Sequence, residues 1–282
     1  MKLNKAMSSV ASALARRHAE PALKEYDSFE SALRDSDSYE DPRLIDVVAQ
    51  KTRRYRETLA ASASRKITNR QTAQILFVLS HVQPDHPLEV LEVGGACGAG
   101  YFEVKNLLPE RIARWSITET PAMAAAGNKF AKEDQLSFHS DLTSATSVLG
   151  RRDLAIAQGV LQYASNPLQL LRDLLELGFS YVYVTRTVVA VGANAAIAQP
   201  IFTRQETDIS AHGPGKLEGA AIDGKSSQPL TIAGLESVSQ TVSAAGELLY
   251  WFDESDDRVL TIGSRPVTVR DIGFLAKKSS LR

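Results

Sequence analysis

Cysteine is almost absent from this chain of 282 residues, and Cys97 is its single thiol. One cysteine cannot form an internal disulfide, and without paired cysteines or clustered histidines the sequence predicts no metal site. This cysteine usage fits a reducing compartment, so we expect a cytoplasmic protein. Long apolar runs are also missing, from the first 20 residues as from the rest, so we expect neither a signal peptide nor a membrane span.

An excess of charge of either sign is lacking as well. The 32 Lys and Arg residues nearly balance the 33 Asp and Glu residues, which leaves a formal net charge of -1. A balanced chain is not drawn to nucleic acid or to anionic membrane, so we expect a small-molecule partner. The hydrophobic content of 44% is sufficient for a packed core without covalent cross-links. Nothing in the sequence indicates the oligomeric state.

The chain divides into a helical first part and an alternating second part. Residues 1–82 are rich in Ala, Leu, Arg and Glu and predict a helical extension, with helices that start near Ser28 and Pro42. In residues 83–282, short apolar runs alternate with helical segments, which is typical of βαβ units and a parallel sheet. We therefore predict an α/β domain with an N-terminal helical extension.

Seven apolar runs have the length and composition of strands. They are residues 88–93, 115–118, 136–138, 154–157, 181–185, 247–252 and 267–275. Between the fifth and sixth runs, residues from about 190 to 229 are rich in small residues and in Gly, Ser and Pro. That composition predicts a long loop, which we expect to shape substrate binding.

The most informative stretch follows the first predicted strand and reads LEVGGACGAGY over residues 91–101. Glycines let a backbone approach a ligand closely, and the free N–H groups of the helix that follows attract a carboxylate or phosphate. A triphosphate-binding loop needs Lys and then Ser or Thr after its last glycine, where this chain has an aromatic pair. A dinucleotide motif counted from Gly94 requires glycines at Ala96 and Ala99. Both of these cofactor classes are therefore disfavoured.

Polar side chains at the ends of successive predicted strands select among the remaining cofactors. Glu92 suits the ammonium of an amino-acid-like cofactor better than a pyrophosphate, which indicates S-adenosylmethionine. Glu119 follows the second strand, where a carboxylate can accept hydrogen bonds from both ribose hydroxyls. Asp141 is predicted to bind the adenine amino group, and Gln158 and Gly159 to lie beside the sulfonium. Each acid taken alone is equally consistent with a helix cap.

Several segments between Tyr26 and Arg186 resemble a family of class I S-adenosylmethionine-dependent methyltransferases, largely uncharacterised and often encoded among surface-polysaccharide genes. These segments are residues 26–33, 91–101, 115–121, 158–163 and 181–187. The resemblance implies a Rossmann-like sheet of seven strands, mostly parallel, with the last strand antiparallel. It also implies S-adenosylmethionine as cofactor, bound by the glycine motif through Gly94, Gly95, Gly98 and Tyr101.

Catalytic and acceptor-binding residues are expected at the same edge of the sheet. Methyl transfer from a sulfonium is an in-line displacement, and a hydroxyl acceptor benefits from a general base. His212 is the candidate base, because it lies in the loop over the ligand edge, and Tyr163 is placed to orient the acceptor or face the sulfonium. A solvated histidine and a packed tyrosine are the structural alternatives.

Two further residues are predicted to bind the acceptor, Arg186 and Gln162. The guanidinium of Arg186 suits a carboxylate or phosphate of an acidic sugar, and the resemblance favours a sugar or polysaccharide precursor as acceptor. A salt bridge from Arg186 to Glu206 or Asp208 is the structural alternative.

The sequence leaves alternatives open for the N-terminal segment and for the function. The aromatic and apolar residues of the N-terminal segment predict a cap over the cofactor pocket, with packing elsewhere on the core as the alternative. In place of a methyltransferase, a nucleoside-binding module without catalysis and an NAD(P)-dependent sugar oxidoreductase or epimerase are the competing functions.

Overall fold

Five parallel strands form the centre of the computed structural model, which describes residues 22–62, 70–82, 85–130, 133–215 and 224–278. They are β1 (Leu88–Val93), β2 (Ile112–Thr118), β3 (Leu136–His139), β4 (Leu154–Gln158) and β5 (Tyr181–Ala190). Their order in the sheet is β3-β2-β1-β4-β5, and each neighbouring pair is parallel. The strand order reverses between β1 and β4, which is where open α/β sheets bind ligands beyond the carboxyl ends of their strands.

Antiparallel pairing completes the sheet on the β5 side. Strand β10 (Arg265–Lys278) lies antiparallel between β5 and β8 (Gly246–Asp253). The path β3-β2-β1-β4-β5-β10-β8 therefore has seven strands, with the last strand of the chain antiparallel. The predicted Rossmann-like methyltransferase fold class is confirmed. Strand β9 (Arg258–Ile262) pairs antiparallel with the first part of β10.

A hairpin beside β5 corrects the prediction of a long loop over residues 190–229. Strands β6 (Ile201–Asp208) and β7 (Lys225–Gly234) pair antiparallel along the full length of β6, and the end of β7 lies parallel to the end of β5. The buried residues at the start of β7 are Ser226, Ser227 and Gln228. Because these side chains are polar, their composition indicates a loop, whereas long-range pairing makes the segment a strand.

Helices lie on both faces of the sheet and pack through apolar stripes. They are α1 (Phe29–Arg34), α2 (Pro42–Ala61), α3 (Arg70–His81), α4 (Ala99–Leu107), α5 (Pro121–Phe130), α6 (Leu142–Ser147), α7 (Pro167–Glu176) and α8 (Leu235–Ala245). In α2, proline occupies the first turn after an Asp41 cap, and Leu44, Val47 and Val48 bury one face. No helix in the described ranges is long and apolar enough to cross a membrane.

The N-terminal segment is joined to strands from the end of the chain. Leu23 forms a parallel bridge with Ile262, and Tyr26 forms an antiparallel bridge with Phe202. The Tyr26 hydroxyl donates to Asp35, whose carboxylate also pairs with Lys24. The predicted helical extension is thus packed against the sheet domain and its inserted hairpin.

Candidate functional site

The glycine turn after β1 forms a cradle that side chains cannot occupy. Gly94 has φ 73°, and a Cβ there would lie 2.9 Å from the Cβ of Val160. At Gly95 a Cβ would lie 2.7 Å from the Glu92 carboxyl carbon. Both distances are below ordinary van der Waals contact, so only glycine keeps this turn open. The turn exposes backbone to a ligand at the carboxyl edge of the sheet.

Glu92 is a buried acid at the end of β1, with 2% of its surface exposed. Its carboxylate accepts hydrogen bonds from Trp115 Nε1 at 2.8 Å and from Gln158 Nε2 at 3.2 Å. Burial raises the pKa of Glu92 to about 7, although these two donors and the nearby charge of Arg186 act in the opposite direction. A cation bound beside Glu92 would therefore stabilise the ionised form of its carboxyl group.

Glu119 lies at the end of β2, beside the glycine turn. Its two carboxylate oxygens accept from the backbone N–H of Ala96 at 2.8 Å and of Thr120 at 2.9 Å. Burial raises the pKa of Glu119 above its usual range, and these backbone donors oppose that shift. Each oxygen retains a lone pair, so the carboxylate can still accept from a ligand.

Two adjoining chambers of about 540 Å³ each open along the carboxyl edge. The glycine-turn chamber is lined by Glu92, Gly95, Gly100, Glu103, Thr52 and Tyr55, among others. The β5 chamber is lined by residues that include Glu119, Met123, Gly159, Gln162, Tyr163 and Glu254. Gly94, Ala96, Gln158, Arg186 and His212 line both chambers. A ligand of nucleoside size plus an amino-acid arm can therefore extend across the boundary.

Ten of the thirteen residues predicted from the sequence line these chambers. They are Glu92, Gly94, Gly95, Glu119, Gln158, Gly159, Gln162, Tyr163, Arg186 and His212. The other three do not line either chamber. Tyr101 is fully buried in the core and donates to Glu133, while a Cβ on Gly98 would face Phe138 and Ile117. Asp141 caps α6 by accepting from the backbone N–H and the hydroxyl of Ser144.

Arg186 lies on a bulge of β5. The pairing of β5 with β10 shifts register between Ile272 and Phe274, and Arg186 has φ 55°, an uncommon conformation for a residue with a side chain. Its Nη2 donates to the carbonyl of Gln158 at 3.0 Å, and the guanidinium lies against Gly159. The alternative salt bridge with Glu206 is not formed, because that acid pairs with Lys225.

His212 reaches the chambers from the segment between β6 and β7. Its Nε2 lies 2.8 Å from Thr207 Oγ1, and this hydroxyl can donate to the carbonyl of Ser226 at 3.5 Å. If the hydroxyl donates there, it accepts from Nε2–H, and Nδ1 of His212 carries the free lone pair. Burial lowers the pKa of His212, and the positive charge of Lys51 lowers it further. The imidazole is therefore neutral at neutral pH.

Helix α2 and the residues before it close one side of the chambers. Leu44 and Val48 line the β5 chamber, and the Tyr39 ring contacts the Tyr163 ring edge-on with centroids 5.3 Å apart. Lys51, although buried, donates from Nζ to the carbonyl of Ser210 at 2.9 Å. This bond ties α2 to the segment that carries His212.

Several lining residues were not predicted from the sequence. Glu254 lies in the β8–β9 turn, Arg258 begins β9, Asp271 lies on β10 and Gln205 lies on β6. Arg258 and Asp271 form a bidentate ion pair, in which Nη1 lies 2.7 Å from Oδ2 and Nη2 lies 3.1 Å from Oδ1. No short motif marks these residues, because long-range strand pairing brings them to the edge.

Comparisons with known proteins yield matches among solved structures. No family model matches the sequence, and no curated protein matches it. The N-terminal domain of EvdMO1, in the presence of S-adenosylhomocysteine and D-fucose, is 15% identical, with 82% of this chain and 96% of that chain covered and a TM-score of 0.49.

Two further solved structures are similar at lower scores. Magnesium protoporphyrin IX methyltransferase from Synechocystis PCC 6803 with bound S-adenosylmethionine is 9% identical, with 86% and 99% of the two chains covered and a TM-score of 0.41. The N-methyltransferase NodS from Bradyrhizobium japonicum WM9 with S-adenosylhomocysteine is 14% identical, with 82% and 100% covered and a TM-score of 0.42. The fold of this chain is assigned from its own strand order and strand directions.

Proposed function

We propose that this chain is an S-adenosylmethionine-dependent methyltransferase that acts on a small molecule. The observation that carries the proposal is a pair of carboxylates beside the glycine turn, the buried Glu92 and the half-buried Glu119. Glu92 lines the glycine-turn chamber and Glu119 lines the β5 chamber, with Gly94 between them lining both. A cofactor with an ammonium at one end and a ribose diol further along matches both acids.

The lining residues fit this cofactor in charge as well as shape. Gly94 and Gly95 line the glycine-turn chamber with backbone atoms, and Glu119 has lone pairs for the ribose hydroxyls. When bound, S-adenosylmethionine supplies an electrophilic methyl group on a sulfonium. The role of this chain is then to hold the acceptor in line with that methyl group and to exclude water.

The carboxylate of Glu92 disfavours the nicotinamide alternative. A dinucleotide would place its pyrophosphate at the glycine turn, where the ionised form of this buried acid would repel it. Repulsion between like charges is strongest where the surroundings exclude water. The same acid attracts the ammonium of S-adenosylmethionine.

His212 is the general base of the proposed reaction, and the acceptor is a sugar or polysaccharide precursor. A neutral imidazole whose Nδ1 carries a lone pair can take the proton of an acceptor hydroxyl as the methyl group is transferred. The β5 chamber offers Gln162, Tyr163 and Gln205 as hydrogen-bonding groups suited to hydroxyls.

Thermal unfolding with two ligands tests the proposal. At about 100 times its Kd, a ligand that binds only the folded state stabilises it by about 2.7 kcal/mol. For a chain of this size we expect S-adenosylhomocysteine to raise Tm by about 5 to 10 °C and NAD to leave it unchanged. A shift with NAD alone would instead support the oxidoreductase. Transfer of labelled methyl to members of a sugar panel then separates an enzyme from a binding module.

A further inference from the structure

The bulge at Arg186 is held by an acid from a distant part of the chain. Glu254, which follows β8, accepts from the backbone N–H of Arg186 with one oxygen and from the hydroxyl of Thr185 with the other. A residue with a side chain at φ 55° is strained, and such a conformation persists where its surroundings determine it. The two hydrogen bonds that Thr185 and Arg186 donate to Glu254 hold the backbone in this conformation.

Gly273 on β10 makes room for Glu254. A Cβ at this position would lie 2.8 Å from Glu254 Oε1 and 2.9 Å from the carbonyl of Val184. The bulge, the acid and this glycine therefore form one arrangement, in which the backbone of Arg186 is fixed before any ligand arrives. Bulges of this kind re-aim a side chain beside a binding site.

The guanidinium and the Glu92 carboxylate are anchored on the same residue. Gln158 accepts from Arg186 through its backbone carbonyl and donates to Glu92 through its side-chain amide. Arg186 also favours the ionised form of Glu92 through its charge. The carboxylate of Glu92 and the guanidinium of Arg186 thus both lie next to Gln158 at the boundary of the two chambers, and Arg186 is exposed.

We propose that Arg186 binds the α-carboxylate of the cofactor's amino-acid arm and that Glu254 is its positioning residue. This assignment rests on the proposed function. An α-amino acid carries its ammonium and carboxylate on one carbon, so it presents adjacent charges that match Glu92 and Arg186. Within the described ranges the guanidinium donates one hydrogen bond, from Nη2, which leaves N–H groups for a forked contact with a carboxylate.

Calorimetry with two ligands tests the assignment without an acceptor. S-adenosylhomocysteine carries the α-carboxylate, and its decarboxylated analogue keeps the ammonium and the nucleoside. We expect Arg186→Lys to weaken S-adenosylhomocysteine by about tenfold and to leave the analogue within about twofold, because lysine lacks the planar fork. Arg172→Lys, on the outer face of α7, is the matched control and should change neither Kd.

Variants of the positioning residue give a second readout. Glu254→Ala should weaken S-adenosylhomocysteine selectively, as Arg186→Lys does, and Glu254→Gln should recover part of the loss because its amide oxygen still accepts one bond. Retained binding of the analogue shows that each variant is folded. Equal weakening of both ligands by Arg186→Lys, or no change in either, would overturn the assignment and leave the proposed function standing. A wild-type protein that binds neither ligand would overturn both.

Discussion

Glu119 holds the glycine turn and the end of β2 together through two backbone N–H groups. The same carboxylate is the proposed partner of the ribose hydroxyls, so its removal has two effects. It deprives the cofactor of charge-assisted hydrogen bonds, and it leaves the N–H groups of Ala96 and Thr120 without a side-chain acceptor.

We predict that Glu119→Gln weakens S-adenosylhomocysteine by about tenfold or more, because the loss of charge-assisted bonds costs about 1.5–3 kcal/mol. Calorimetry measures this Kd, and thermal unfolding reports how far the turn is destabilised. Glu110→Gln, at an exposed acid just before β2, is the matched control. An unchanged affinity in folded Glu119→Gln would remove the ribose assignment.

Glu92 makes cofactor affinity depend on pH. Its pKa in the free protein is raised to about 7 by burial, and an ammonium beside it favours the ionised form. Binding therefore requires loss of the proton below that pKa, and affinity falls as the pH decreases. For the protein without ligand the sign is opposite, because the stability that a raised carboxyl pKa contributes is lost as pH rises through about 7.

We predict that the affinity for S-adenosylhomocysteine rises between about pH 6 and about pH 8, by up to about tenfold per unit below the pKa of Glu92. Calorimetry in buffers of different ionisation enthalpy should show a proton released on binding at the acid end of this range. Glu92→Gln should bind more weakly at every pH. If the affinity of Glu92→Gln for S-adenosylhomocysteine still depended on pH, a group other than Glu92 would be responsible.

At the scale of elements, the segment before α2 is expected to act as a cap. Tyr39 contacts Tyr163 in the β5 chamber, and Glu40 accepts from the backbone N–H of Ala122 at the start of α5. These contacts lie beside the chamber that contains Glu119, the proposed ribose-binding residue. Helix α2 itself closes the chambers through Leu44 and Val48.

We predict that deleting residues 1–40 lowers cofactor affinity and leaves a folded core, because the sheet keeps its pairing without them. Deleting residues 1–21 is the control, since it spares the described segment. Circular dichroism checks the fold and calorimetry checks the affinity. A 1–40 deletion that binds and turns over as the full chain does would show that the segment packs on the core without capping the site.

Elements with a local signal could be predicted from the sequence, and elements made by distant pairing could not. Strand β1 is buried throughout and four of its six residues are Leu or Val, so the sequence predicts the segment 88–93 with its observed bounds. Strand β7 buries several polar residues, so it lacks the apolar pattern of its class. The residues of the site show the same difference between local signals and distant pairing. Glu92 lies in β1 and Glu119 directly follows β2, two strands with a local apolar signal, whereas Glu254 meets Arg186 across 68 positions of sequence.

At the scale of the whole molecule, the chambers join the two ends of the described chain. Tyr39 and Asp271 line the same chamber, and the bridges of Leu23 and Tyr26 link the N-terminal segment to β9 and β6. The predicted boundary near residue 82 therefore does not separate the site into two independent parts. Contacts this far apart in sequence form late and make folding slower than local contacts do.

The hydrogen bond from Trp115 to Glu92 has an optical consequence. The chain has two tryptophans, and the indole of Trp115 is buried and donates to the acid that is proposed to meet the cofactor's ammonium. The other, Trp251, stacks on Phe274 in β10. Because indole emission responds to charge beside the ring, the protonation state of Glu92 and the arrival of a cation should both alter the emission of Trp115. Replacing Trp251 with phenylalanine would leave Trp115 as the single tryptophan, so that selectively excited indole emission follows the site in real time.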